Sequence, residues 1–114
     1  MNKRIESYIP KALEAINKFE IASNGEVPNQ FNGYISSFGA SIRQAGLLAT
    51  VLFYQNENNA AEQDRTKVIK AIEYIIGHSI VTDKNSVART TRAKVEDAAV
   101  ALKLSIRTFK LVKE

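Results

Sequence analysis

An all-α domain, a compact bundle of about four to six helices around a central apolar helix, is the fold class this sequence predicts. Three observations carry it. Apolar residues recur at intervals of three and four along most of the 114 residues. Glycine and proline are few, five and two respectively, and no hairpin signal separates alternating runs. The stretch from Ala45 to Tyr54 is apolar almost throughout, as a buried helix would be.

The spacing predicts a first helix over residues 3–23, with Ile5, Ile9, Ala12, Leu13, Ile16 and Phe19 on one face. Pro10 falls inside it and either kinks the helix or opens a second piece. Asn24-Gly25 supplies a turn, and Pro28 blocks helix continuation. A second helix is predicted over residues 29–54, with Phe31, Ile35, Phe38, Ile42, Ala45, Ala49 and Phe53 as its stripe. Beyond Ala45, Leu47, Leu48, Val51 and Leu52 surround the axis, which makes this helix the expected centre of the bundle. Gly39 and Gly46 lie on one side of it, and close approach of a neighbour would justify their cost of about 1 kcal/mol each.

Residues 55–60 read as a polar loop. The third helix, over 61–76, points Val68, Ile69, Ile72, Ile75 and Ile76 inward and stops at Gly77. Ile80 and Val81 are expected to tuck under the core, and Asp83, Asn85 and Ser86 are cap-type residues ahead of the next helix. The last helix, over 87–112, carries a core stripe of Ala88, Thr91, Val95, Ala98, Leu102, Ile106 and Phe109. A second apolar stripe of Ala93, Val100, Leu104 and Leu111 lies opposite. A solvated helix would be polar there, so the stripe implies contact with another helix or another subunit.

Length and an apolar content of 45% suit one globular domain over residues 1–114. With no cysteine, disulfides and thiolate metal sites are excluded and nothing argues for secretion. No apolar run has the length of a signal-peptide core or a membrane span, so a cytoplasmic protein with no membrane partner is expected.

The net charge of +4 is unevenly placed. Residues 1–82 hold eight cations and eight anions; residues 83–114 hold eight cations and four anions. Helical spacing gathers Arg89, Arg92, Lys103, Arg107 and Lys110 into one band, with Glu96 its one acid. These five are the candidate nucleic-acid-binding residues, because a local basic surplus suits a polyanion partner. A solvated helix face would read nearly the same.

Chemistry is not visible. His78 is the single histidine and has no second histidine or cysteine to build a metal or catalytic site with, so it reads as a loop or helix-end residue. Glu96-Asp97 and Glu62/Asp64 read as ordinary helix surface beside cations. The glycines form neither a dinucleotide fingerprint nor a P-loop. Arg43 reads first as an exposed or paired arginine at a helix edge, with nucleic-acid contact as the lesser reading. No catalytic residue, metal site, cofactor or small-molecule substrate is expected.

The segment Tyr34-Ile35-Ser36-Ser37-Phe38-Gly39-Ala40-Ser41-Ile42-Arg43-Gln44-Ala45-Gly46-Leu47-Leu48, continuing apolar to Phe53 and Tyr54, resembles a known signature. It is similar to that of the small α-helical subunit of the type III-B CRISPR effector, the Cmr complex. The shared features are a polar-aromatic lead, the apolar Ile42, the Gly46-Leu47 pair and an apolar run ending in aromatics. A last helix that opens with Arg and Thr and closes in alternating apolar and basic residues also fits, as does the size. The resemblance implies a non-catalytic structural subunit of an RNA-guided antiviral defence complex. Its partners would be the other Cmr-type subunits, further copies of itself stacked head to tail, and the guide and target RNA, which it would help to hold together. Cleavage would belong to other subunits. The related small subunit of type III-A systems is the nearer rival; a helical protein–protein adaptor with no nucleic-acid contact is the alternative of a different kind.

Overall fold

The computed structural model describes residues 3–55, 60–81 and 91–113, with the side chains of 60–63 outside that description. Among the described residues the chain forms five helices and one pair of short strands. In order they are α1 (Lys3–Lys18), β1 (Glu26–Pro28), α2 (Gln30–Ala45), α3 (Leu47–Tyr54), α4 (Ala60–Ile76), α5 (Thr91–Ile106) and β2 (Lys110–Val112). The all-α class holds.

α1 runs unbroken through Pro10, whose ring is on the exposed side. It ends at Lys18, short of the expected 23, because Glu20 turns left-handed with φ 59°. The amides of Ile21 and Ala22 then both bond back to the Ile16 carbonyl, at 3.0 and 3.1 Å, which caps the helix and drops Ile21 into the core. Asn24 and Gly25 follow with φ of 54° and 78°, the two left-handed positions of a tight turn, closed by paired Ser23–Glu26 backbone bonds.

The predicted helix over 29–54 is two helices. Gly46 adopts φ 91° and ψ 163°, a conformation that side chains rarely take, and the chain changes direction there. The break is stitched by hydroxyls. Thr50 Oγ1 donates to the Gly46 carbonyl at 2.8 Å, so the Ser41 hydroxyl must donate to Thr50 Oγ1, also 2.8 Å away. Tyr54, buried among α2, α3 and α4, donates its hydroxyl to the Tyr34 carbonyl at 2.9 Å. Burial holds that phenol above its ordinary pKa.

The central helix is not the apolar one. α3 buries Leu47, Thr50, Val51 and Tyr54, but Leu52 is 48% and Phe53 56% exposed. α5 takes the central place, packed against α1, α2 and α4. It buries Thr91, Val95, Ala98, Ala99, Ala101, Leu102, Ser105 and Ile106. The physical reason is size. Alanines on several sides let three helices approach one axis, a role that a ring of leucines would be too bulky to fill.

α4 matches expectation. Val68, Ile69, Ile72 and Ile75 are buried, Ile76 is half-buried, and Gly77 stops the helix with φ 85°. Ile80 is buried and Val81 packs against the core. The expected caps at Asp83, Asn85 and Ser86, and Ala88 of the core stripe, lie outside the described residues.

The last helix ends at Ile106, six residues before the expected 112. Thr108 closes a turn by donating its Oγ1 and amide to the Ser105 carbonyl, at 2.8 and 3.1 Å. β2 then pairs in parallel with β1 in the register Glu26↔Lys110, Val27↔Leu111, Pro28↔Val112. This strand pair was not expected from the sequence. Three residues are too few for a periodicity to show, and the pairing joins segments far apart in the chain.

Candidate nucleic-acid interface

The proposed basic residues do not form one helical band. Arg92 and Lys103 are on α5, eleven residues apart and so on nearly the same face, about 16 Å from each other along the axis. Arg107 is exposed in the turn after the helix, and Lys110 is exposed on β2. Helical spacing therefore does not carry the band past Ile106. Arg89 lies outside the described residues.

Their pairing differs as well. Arg92 Nε donates to Glu96 Oε1 at 2.9 Å, one turn along the helix. Lys110 Nζ lies 3.9 Å from Glu26 Oε2, with side chains 75% and 47% exposed, so water screens that pair and it holds the lysine weakly. Among the described residues, Lys103 and Arg107 have no ion-pair partner.

Beside Lys103 the structure brings in Arg43, for which the sequence favours a plain helix-edge role over nucleic-acid contact. Arg43, exposed in the last turn of α2, lines a groove of about 300 Å³ between α2 and α5, together with Lys103, Val100 and Gly39. Gly39 meets no close neighbour; a Cβ there would point into open space. The expected close approach at Gly39 is therefore wrong, and the missing side chain leaves the groove open. Glu96 and Asp97 also line it, but Arg92 engages Glu96 and Arg4 engages Asp97 at 3.2 Å. The two carboxylates are partly neutralised, while Arg43 and Lys103 have no ion-pair partner among the described residues. Both also sit in last helical turns, where the helix dipole favours a cation by about 0.3–1 kcal/mol. No sequence signal could have found the groove, since it depends on which face of α2 meets α5.

The second apolar stripe divides. Leu111 packs on the core from β2, which corrects its assignment to a helix surface. Ala93 is exposed, Val100 is 44% exposed, and Leu104 is half-buried without joining the core cluster. A further exposed apolar pair, Leu52 and Phe53, arises because α3 is peripheral. The guanidinium of Arg65 lies 5.3 Å from the Phe53 ring centre and 5.4 Å from that of Tyr34, capping part of that surface.

His78 is exposed, with Nδ1 2.9 Å from the Ser79 carbonyl oxygen. Among the described residues no group of three or more His, Asp or Glu side chains could hold a metal ion, and no helix is long and apolar enough to cross a membrane.

The sequence matches the family model described as CRISPR-associated protein (Cas_Cmr5) over residues 4–112. No curated protein and no solved structure matches it significantly.

Proposed function

Because the chain belongs to the CRISPR-associated Cas_Cmr5 family, the small helical subunits of type III-B Cmr complexes, we propose that it is a non-catalytic structural subunit which stacks in several copies and helps to hold target RNA along the guide. The observation that supports the RNA role is the set of cations on and beside α5. Arg43, Lys103 and Arg107 reach the surface without ion-pair partners among the described residues, and Lys110 is only loosely engaged. Such residues meet phosphates and read no bases, as suits a subunit serving guides of any sequence. A cytoplasmic site of action and a part in antiviral defence belong to the same reading.

Stacking is supported by Leu104, half-buried outside the core cluster, and by Val100, 44% exposed at the rim of the α2/α5 groove. Leu104→Glu is expected to keep the helical signal and a cooperative melt while weakening incorporation into the complex about tenfold or more, as loss of a buried interface anchor does. Incorporation is measured by co-purification with tagged partner subunits, followed by identification of bound subunits and RNA. Loss of the cooperative melt would make Leu104 a core residue and end the interface assignment. If the chain copurifies with its subunits while the RNA contacts lie wholly on others, the adaptor reading replaces this one.

The absence of catalysis is a proposal of the same kind. The purified chain is expected to leave single- and double-stranded RNA intact with magnesium, manganese or zinc. Metal-dependent cutting that follows the protein peak and disappears on a point substitution in this chain would overturn it.

A further inference from the structure

α1 and α4 pack together, and a groove of about 530 Å³ opens along their edge. Lys11, Phe19, Lys70, Tyr74 and His78 are among its lining residues. Lys11 and Lys18 fall two turns apart on one face of α1, and Lys67, Lys70 and Tyr74 follow at three and four residues on α4. The amines of Lys11 and Lys18 reach 5.9 and 5.8 Å from the Tyr74 ring centre.

The ring itself is held. Its hydroxyl donates to Glu14 Oε2 at 2.7 Å, and Phe19 packs edge-on at 6.0 Å with the planes 78° apart. Two acids stand among the four lysines: Glu14, which accepts from Tyr74, and Glu73, which lines the groove and whose Oε2 accepts from the Ile80 amide at 2.9 Å, so the cations outnumber them. Lys67 donates to the Glu20 carbonyl at 3.4 Å. Among the described residues none of Lys11, Lys18, Lys67 or Lys70 forms an ion pair. On α5, by contrast, no aromatic residue lies among the cations.

A fixed aromatic ring among unpaired amines, at the edge of an open groove, suits single-stranded nucleic acid. The Tyr74 ring is half-buried against the core with Lys11 and Lys18 over it, so a base stacks on its exposed part as those amines swing off the ring to meet phosphates. An acidic peptide would use the amines and leave the ring idle. We propose that the α1/α4 groove is a second RNA-binding surface, selective for single strands, with Tyr74 as the stacking platform and Lys11, Lys18 and Lys70 as phosphate contacts. This inference rests on the reading that the chain handles RNA and adds a surface separate from the α5 cations.

The test is an NMR titration of the isotope-labelled full chain with a short uridine-rich RNA strand at low salt. Shifts should gather on Lys11, Lys18, Lys70 and Tyr74, with the Tyr74 ring protons moving upfield, and a duplex of equal length should shift that ring less. Tyr74→Leu should weaken binding about tenfold, while Tyr74→Phe, which keeps the ring, should stay within about twofold. Changing the three lysines together to Gln should flatten the salt dependence by about two logarithmic units per decade. If a polyglutamate peptide reproduces the lysine shifts and RNA leaves the ring unmoved, the surface takes an acidic protein segment and the inference fails. Shifts confined to α5 and the turn after it would also overturn it, while leaving the α5 reading intact. Shifts on α1/α4 would uphold it even if substitution of the α5 cations left RNA binding by the assembled complex unchanged. No shift on α1/α4 overturns it.

Discussion

Phe38→Ala is expected to destabilise the domain by about 3–5 kcal/mol, the range for emptying a buried aromatic site. Phe38 is fully buried and meets the Tyr54 ring at 5.1 Å, with the planes 66° apart. It thus joins α2 to α3 across the break at Gly46. With total stability of about 5–15 kcal/mol for a domain of ordinary size, the loss is a large share of the whole. Urea unfolding should show a lower midpoint at unchanged slope, and the melting temperature should fall by roughly 12–20 °C. Phe53 is the matched control. It is the same residue type one helix away but 56% exposed, with the Arg65 guanidinium at 5.3 Å. Phe53→Ala should cost no more than about 1 kcal/mol. Equal costs at the two positions would contradict the placement of α3 at the periphery.

In the assembled complex, changing Lys103, Arg107 and Lys110 together to Ala is expected to lower target-RNA affinity by about 10- to 100-fold at physiological salt. The slope of affinity against salt should flatten by up to about three units, one for each lost phosphate contact. Lys110 belongs in the set because its pairing with Glu26, at 3.9 Å and largely in water, costs little to release. Arg92 does not, because Glu96 already holds it at 2.9 Å. Adding Arg43→Ala should deepen the loss, since Arg43 lines the same groove as Lys103. The effect should be alike across RNA sequences. The free chain should bind RNA only weakly. Copies stacked in the complex would add their weak contacts as avidity. Equal affinities and slopes with assembly intact would make these cations a solvated face.

Much of the helix content was legible because it is periodic. α4 could be read almost to the residue, from five inward apolar positions and the stop at Gly77. The same rule overran at both ends of the chain. Phe19 continues the α1 pattern in sequence, yet the helix has already ended, because the left-handed Glu20 releases the chain. Lys110 and Leu111 continue the α5 pattern, yet they form a strand, because β1 offers backbone partners that a frayed helix end would lack. Gly46 reads in the sequence as a glycine inside one helix, and its φ of 91° makes it the break between two. Arg107 and Lys110 were sound as exposed cations and wrong as members of a helical ladder.

Four properties follow from residue order without any tertiary contact: the all-helical class, the inward faces of α1, α4 and α5, the basic surplus of the last quarter, and the family, through the pattern around Gly46-Leu47. These are properties of composition and local spacing, which each segment carries regardless of its neighbours. Which helix is central depends on packing, which places the alanine-rich α5 there and the more apolar α3 at the edge. Packing also sets Arg43 facing Lys103 and Tyr74 among the lysines of α1. The reason is physical. Apolar content says how much surface a helix must hide, whereas side-chain volume sets how many neighbours can approach its axis.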